Sequence, residues 1–326
     1  MNTTVHRKTK MALGLSLLLL GGCGQQADFS LAPASQSFVQ NVKYNDEVDI
    51  LWVVDDSETM GDHQSNLASQ FNYFMDSLIS TKLNYHVSVI STDRGRYQGS
   101  LLGSPKVITP ATPNPKSAFS SNVRLGTGGS PAERGLLSLK DALSSPKITT
   151  GDNRGFLRKD AQLVVIFLSD ENDESVDSAS SYINFLNQLK PNFATGGRAW
   201  SAHFIGALSL SPECTAYGPH ASPGTRYMEL VNYSGGVSES ICTSDLSRAL
   251  TNVRKRIVER LTEYRLDRDP VLSSIVVRIN GIVIPESSTN GWQYFPKDKV
   301  IRFYGSAVPA ADASINIDYQ PIGVKQ

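Results

Sequence analysis

Three cysteines and five histidines are all that this 326-residue chain contains of the side chains most used for soft-metal capture and acid–base catalysis. Long apolar runs are missing too: no stretch reaches the roughly 20 consecutive apolar residues that a membrane-spanning helix requires. There is no excess of charge, since 31 Lys and Arg balance 31 Asp and Glu. Composition therefore gives no electrostatic reason to expect nucleic acid or an anionic surface as the ligand, and specificity has to come from a local site. Gly-x-Ser-x-Gly, a Walker loop and His-Glu-x-x-His are all absent. His63, His86, His203 and His220 do not gather with a nucleophile in any such motif. These absences argue against an enzyme. The acidic run at 170–174 is where an enzymatic reading would start, because carboxylates also hold Mg²⁺ for phosphoryl chemistry. Internal repeats and low-complexity tracts are absent as well.

What is present begins at the N-terminus. His6, Arg7, Lys8 and Lys10 precede an apolar run over 11–20, the pattern of a secretory signal. The run closes on Leu20-Gly21-Gly22-Cys23, which resembles the lipobox of bacterial lipoproteins. That resemblance implies removal of residues 1–22 and acylation of Cys23, with acyl chains anchoring the protein at about 0.8 kcal/mol per buried methylene. Gly24 in place of Asp implies the outer membrane. In an exported chain the remaining pair, Cys214 and Cys242, favours a disulfide, and closing that loop stabilises the fold by roughly 3 to 4 kcal/mol. Residues 23–42 carry little periodicity and read as a tether.

Folding is expected from about residue 43. The nearly continuous apolar run at 48–54 (VDILWVV) predicts a strand buried on both faces of a parallel sheet. Leu67, Phe71, Phe74, Met75, Leu78 and Ile79 then fall at helical spacing. Residues 85–91 supply a second strand, and 94–115 is loop-like, with a short hairpin expected between 95–97 and 105–109. Pro131 is expected to open a helix carrying Leu136, Leu139 and Leu143. Residues 162–168 (QLVVIFL) give the strongest buried-strand signal. A helix over 177–189, a strand over 199–207 and a helix over 244–264 follow. This alternation predicts an α/β fold, a doubly wound and mainly parallel sheet with helices on both faces, over 43–266. From 267 to 326 the runs are short and β-rich, predicting a small C-terminal all-β extension that needs its neighbour to complete a core.

Three polar clusters fall at expected strand ends or in adjacent loops: Asp55-Asp56-Ser57-Glu58-Thr59, Gly126-Thr127-Gly128-Gly129-Ser130 and Ser169-Asp170-Glu171. All offer hard oxygen donors without His or Cys, which suits Mg²⁺, Mn²⁺ or Ca²⁺. At these residues the chain resembles the von Willebrand factor A family and its metal-ion-dependent adhesion site. Asp55, Ser57 and Thr59 match the Asp-x-Ser-x-Ser/Thr motif, Asp170 matches the later Asp, and Ser130 takes the Thr position, with Thr127 as the alternative. The resemblance implies hydroxyls on the metal, aspartates acting largely through water, and a partner protein's acidic side chain completing the shell. It also marks 214–242 as a disulfide-bearing insertion. Extra carboxylates crowd the motif, with Asp56 and Glu58 beside it and Asp62, Glu171, Asp173 and Glu174 in reach. The expectation is a lipid-anchored binding protein. Its rival is an envelope scaffold whose domain holds no metal.

Overall fold

The strands expected at 48–54, 85–91, 162–168 and 199–207 all form, and they run parallel. The computed structural model describes residues 38–42, 46–193, 197–217, 222–310 and 312–323. The expected signal peptide, the expected lipidation site Cys23, most of the expected tether and His220 lie outside the described residues. In chain order the elements are β1 (Phe38–Val42), β2 (Glu47–Val54), α1 (Gly61–Ser80), β3 (Asn84–Ser91), α2 (Arg94–Tyr97), α3 (Pro115–Asn122), α4 (Gly135–Leu143) and β4 (Gln162–Ser169). They continue with α5 (Ala179–Leu189), β5 (Trp200–Gly206), α6 (Pro212–Tyr217), α7 (Thr225–Ser234), β6 (Ser238–Ser240) and α8 (Ser247–Leu261). Short strands follow: β7 (Tyr264–Arg265), β8 (Val276–Ile279), β9 (Ile282–Ile284), β10 (Trp292–Phe295), β11 (Val300–Phe303) and β12 (Ile315–Tyr319).

The parallel sheet has the order β3-β2-β4-β5-β6. Such an order reverses direction between β2 and β4, and in open α/β sheets the crevice outside the carboxyl ends at that reversal is where ligands bind. Alternate side chains of β2 explain its unbroken apolar run. Val48, Ile50, Trp52 and Val54 pack with α1, α3 and α8, whereas Leu51 and Val53 pack with α4, α5 and α7. Trp52 anchors the first face, meeting Phe71, Phe74 and Phe119 edge to face at 5.5 to 5.8 Å. No described helix is long and apolar enough to cross a membrane.

Several sequence expectations change here. Residues 38–42, read as tether, form β1 and pair antiparallel with β12, so the extension's four-stranded sheet, ordered β1-β12-β8-β9, borrows its edge from the N-terminal side. The expected hairpin does not form. Arg94–Tyr97 is one helical turn, while Leu102 and Ile108 bridge Val89 and Val87 of β3. Helix α4 starts at Gly135 instead of Pro131. Within the 214–242 segment, residues 225–234 form α7, which covers β5 and buries Tyr227, Leu230 and Val231. The all-β extension does dock as expected, its Val277, Ile301, Phe303, Ile315 and Ile317 joining the cluster that holds α1 and α8.

The amino end of the sheet is closed by a buried ion pair. Arg158 donates through its backbone N–H and Nε to the Asp49 carboxylate at 2.6 and 2.8 Å, and through Nη2 to the carbonyls of Val48 and Asn84. Lysine offers one point charge where arginine offers a planar fork. Arg158→Lys therefore loses at least one carbonyl bond and should cost about 2 kcal/mol in urea denaturation, whereas an unchanged midpoint would show the fork to be dispensable.

Candidate functional site

The registers of β2 with β3 and β4 are level, pairing Val54 with Ser91 and with Leu168. Asp55, Thr92 and Ser169 therefore emerge side by side at the reversal point. Asp55 is fully buried. Its Oδ1 accepts the Ser57 N–H at 2.8 Å and its Oδ2 accepts the Ser169 hydroxyl at 2.6 Å. Burial pushes the Asp55 carboxyl up to about 6, against the pull of those two donors and with a further rise from Asp170. The Ser57 and Thr59 hydroxyls lie 3.4 Å apart on the first turn after the strand.

Asp170 follows Ser169 and is 2% exposed, and neither of its carboxylate oxygens has a hydrogen-bond partner. Groups of this kind are rare, because burying an unpaired carboxylate costs several kcal/mol unless a cation or proton compensates it. Glu171, on the rim, is raised to about 7 by partial burial and then by Asp55, Asp170 and Glu174. His63, on the first turn of α1, is held below its usual range by burial, with Asp170 and Asp62 opposing that shift.

The structure adds a carboxylate that sequence reading passed over. Glu133 is 1% exposed, and neither of its oxygens makes a hydrogen bond of good geometry. Burial pushes its carboxyl up to about 10; Asp55, Asp56 and Glu171 add to the rise, and the Thr92 hydroxyl alone eases it. The loop before α4 is held in place by backbone and amide contacts. Gly129 N–H donates to the Asp56 carbonyl at 2.8 Å, Arg134 N–H to the Thr92 carbonyl at 3.2 Å, and Glu174 N–H to the Glu133 carbonyl at 2.6 Å. Gln64 of α1 joins both sides, donating to the carbonyls of Asp55 and Gly126 and accepting the Gly126 N–H. Only glycine fits at 129, because a Cβ there would sit 2.6 Å from the Asp56 carboxyl carbon.

The other expected residues are distributed as follows. Ser130 donates its N–H to Asp93 and accepts the Ala132 N–H on its hydroxyl, and among the described residues no hydrogen bond links it to Asp55, Ser57 or Asp170. Thr127 is exposed, its methyl group against Gly61. Asp56 is buried and accepts the Ser91 hydroxyl at 2.5 Å, leaving Oδ2 unpartnered. Glu58, Asp62 and Glu174 are exposed. Asp173 has a structural role: it accepts the Leu136 N–H at the start of α4 and the Ser175 hydroxyl, and it pairs with Arg226 at 3.3 Å. His203 is buried and held neutral, down to about 3, by desolvation with Arg256 and Arg260 adding to it. The His86 ring faces the Phe156 carbonyl at the far end of the sheet.

Cys214 and Cys242 form a disulfide, and residues 222–226 within that loop brace the Asp170 segment. Ser222 N–H donates to the Asp170 carbonyl, Arg226 N–H to the Asn172 side chain, and the Arg226 guanidinium to the carbonyls of Asp173, Ser175 and Asp177. Arg226→Lys keeps the charge and loses this fork, so it should cost about 2 kcal/mol in thermal or urea unfolding. It should also raise hydrogen exchange in 170–177 while leaving β2 protected. Equal protection in both proteins would contradict the bracing role.

Asp55, Ser57, Thr59, Asp170 and Glu133 are oxygen-bearing side chains near the reversal point of the sheet. Among the described residues no three His, Cys, Asp or Glu side chains converge as a preformed metal cage. The orphaned, buried oxygens of Asp170 and Glu133 nevertheless have the chemistry a hard divalent cation needs.

No protein-family model matches the chain, and no curated protein matches it. Among solved structures it is similar to proximal thread matrix protein 1 from the mussel byssus, at 14% identity and TM-score 0.42, over 69% of this chain and 51% of that one. A form of the same protein with a zinc-occupied MIDAS motif aligns at 14% identity and TM-score 0.38, over 67% of this chain and 47% of that one. The pilus adhesin SpaC from Lactobacillus rhamnosus GG aligns at 12% identity and TM-score 0.42, over 86% and 39%. The chain thus spans about half or less of each of these proteins. The doubly wound α/β architecture with its all-β extension rests on the strand order itself.

Proposed function

We propose that this chain is an exported, lipid-anchored binding protein that presents a divalent cation, Mg²⁺ or alternatively Mn²⁺ or Ca²⁺, to a partner protein. The observation that carries the reading is the burial of Asp170 and Glu133 beside Asp55 with four carboxylate oxygens lacking partners. Asp170, Glu133, Ser57 and Thr59 would hold the ion, and Asp55, whose oxygens are both engaged, would act at one remove. The ion would supply a Lewis-acidic point at a water-restricted rim. There a partner's acidic side chain is the complementary group, and Glu171 competes with it for the same position. Anchoring through Cys23 in the outer membrane is supported by the basic segment, apolar run and lipobox-like end of the leader. Titration calorimetry with Mn²⁺ at pH 7.5 should give a one-site isotherm that Asp170→Asn abolishes. Absence of heat in the unaltered protein would refute the ion.

A metal-free scaffold is the second reading. It is favoured by the lack of a preformed cage among the described residues and by the burial that raises the Glu133 carboxyl to about 10. Truncation at 267 does not separate the two readings, because the extension shares the core of α1 and α8. Asp170→Asn does, since the scaffold reading expects unchanged partner capture from an envelope extract, with or without EDTA.

A further inference from the structure

Away from the sheet's carboxyl end, four arginines gather where α8, the end of α7 and β11 meet. Arg256 and Arg260 lie one turn apart on α8. Both reach Gly235, the left-handed residue that ends α7, where a Cβ would sit 3.5 Å from Arg256 Nη2 and 3.8 Å from Arg260 Nη1. The two guanidinium tips therefore converge on this one glycine. Arg256 donates Nε to the Gly235 carbonyl at 2.8 Å and shares Glu263 with Arg302, at 3.5 and 2.8 Å. Arg198 stacks over the Tyr233 ring at 4.3 Å and donates to Asn187.

Charge within the group does not balance. Glu263 is already divided between Arg256 and Arg302, and Glu259 pairs with Arg256 and Lys255. Arg260 is half-buried, and among the described residues no ion pair or hydrogen bond holds it. Burial lowers its guanidinium below the usual range, Glu263 opposes that shift, and Arg256, Arg198 and Arg302 add to it. A multivalent oxyanion would answer the remaining charge, since its geometry matches the planar forks of guanidinium groups. The Phe295 ring lies under Arg302 at 4.2 Å, and the edge of that guanidinium is taken by Glu263 and Asp298, which leaves Arg260 and Arg198 as the guanidinium groups with no acidic partner in contact among the described residues.

We propose that Arg260, Arg256 and Arg198 around Gly235 form a binding site for a phosphate group, presented either by a small soluble phosphate compound or by a phospholipid headgroup. The site is independent of the cation proposal.

The test uses the folded chain without its leader, in EDTA so that the carboxylate site does not contribute. Thermal unfolding is followed with inorganic phosphate or pyrophosphate against chloride at equal ionic strength. Flotation with phosphatidylglycerol vesicles against phosphatidylcholine vesicles forms the second arm. Pyrophosphate should raise the midpoint by several degrees through preferential binding to the folded state, and Arg260→Gln should weaken that response at least tenfold in concentration. Without anion, Arg260→Gln should be as stable as the parent or more so, since it removes an unpaired charge from a repelling group; a purely structural arginine would lower the midpoint instead. If that variant does not fold, Arg198→Gln, at the edge of the cluster, carries the same comparison. Vesicle binding with no response to soluble phosphates assigns the headgroup, and the converse assigns the soluble ligand. No response in either arm, or equal responses in parent and variants, overturns the site.

Discussion

Glu133→Gln should make the metal-free protein more stable at pH 7.5, by about 3 kcal/mol in urea denaturation, while weakening Mn²⁺ binding at least tenfold. The carboxyl is pushed up to about 10, first by burial and then by Asp55 and its neighbours, so the folded chain at pH 7.5 holds a proton there that the unfolded chain has released. Each unit between the unfolded pKa and the working pH costs about 1.4 kcal/mol of stability. Glutamine carries no such cost, although its buried amide retains part of the desolvation penalty. The gain should vanish near pH 4.5, where both states of the parent hold the proton. Stabilisation together with loss of ligand response is the usual sign of a group kept for function at the expense of the fold. A variant less stable than the parent at pH 7.5, or one with unaltered Mn²⁺ affinity, would remove Glu133 from the site.

Raising the pH should destabilise the parent in EDTA and spare it in Mn²⁺. Asp55, raised from 3.8 to about 6 by burial, and Glu133 both bind protons more tightly folded than unfolded. For such groups the folded state carries more protons, so their contribution to stability is complete below the unfolded pKa and is lost as pH rises toward the folded one. For Asp55 that window is about pH 4 to 6, and for Glu133 it extends beyond pH 8. Together the loss between pH 4.5 and 8 should reach about 6 kcal/mol. Glu171, raised to about 7, lies on the solvent-facing rim and adds little after screening. Bound metal reverses the sign, because the ion displaces these protons, so apparent Mn²⁺ affinity should climb steadily from pH 5.5 to 8. Equal stability in EDTA at pH 4.5 and 8, or an affinity indifferent to pH, would mean that these carboxylates are not strained as described.

Much of this was legible from residue order because the strands that matter are buried on both faces. VDILWVV and QLVVIFL have no polar alternation to confuse strand with loop, and the polar residues that end them, Asp55 and Ser169-Asp170, mark the carboxyl edge directly. Glu133 was hidden by its setting. Ser130-Pro131-Ala132-Glu133 has the spacing of a capping box, so its acid reads as a first-turn helix residue. The helix instead starts at Gly135, the N–H groups of Leu136 and Leu137 answered from another loop by Asp173 and Ser175. That long-range cap leaves Glu133 to turn inward and Ser130 to face Asp93. Strand β1 was illegible for a different reason: its partner β12 lies at the other end of the chain, and five residues carry too little pattern to announce a pairing made only in the folded state. Gln64 and Arg226 gave no local signal either, since each acts by bridging loops distant in sequence.

Soaking crystals of residues 24–326 in Mn²⁺ and recording their anomalous scattering tests the central claim most directly. The account predicts one strong peak at the reversal point of the sheet, with the Ser57 and Thr59 hydroxyls and oxygens of Asp170 and Glu133 around it at about 2.0 to 2.3 Å. Ser130 should remain turned toward Asp93. A map with no peak there, or with the ion held by Ser130 or Thr127 while Glu133 stays outside its reach, would contradict it.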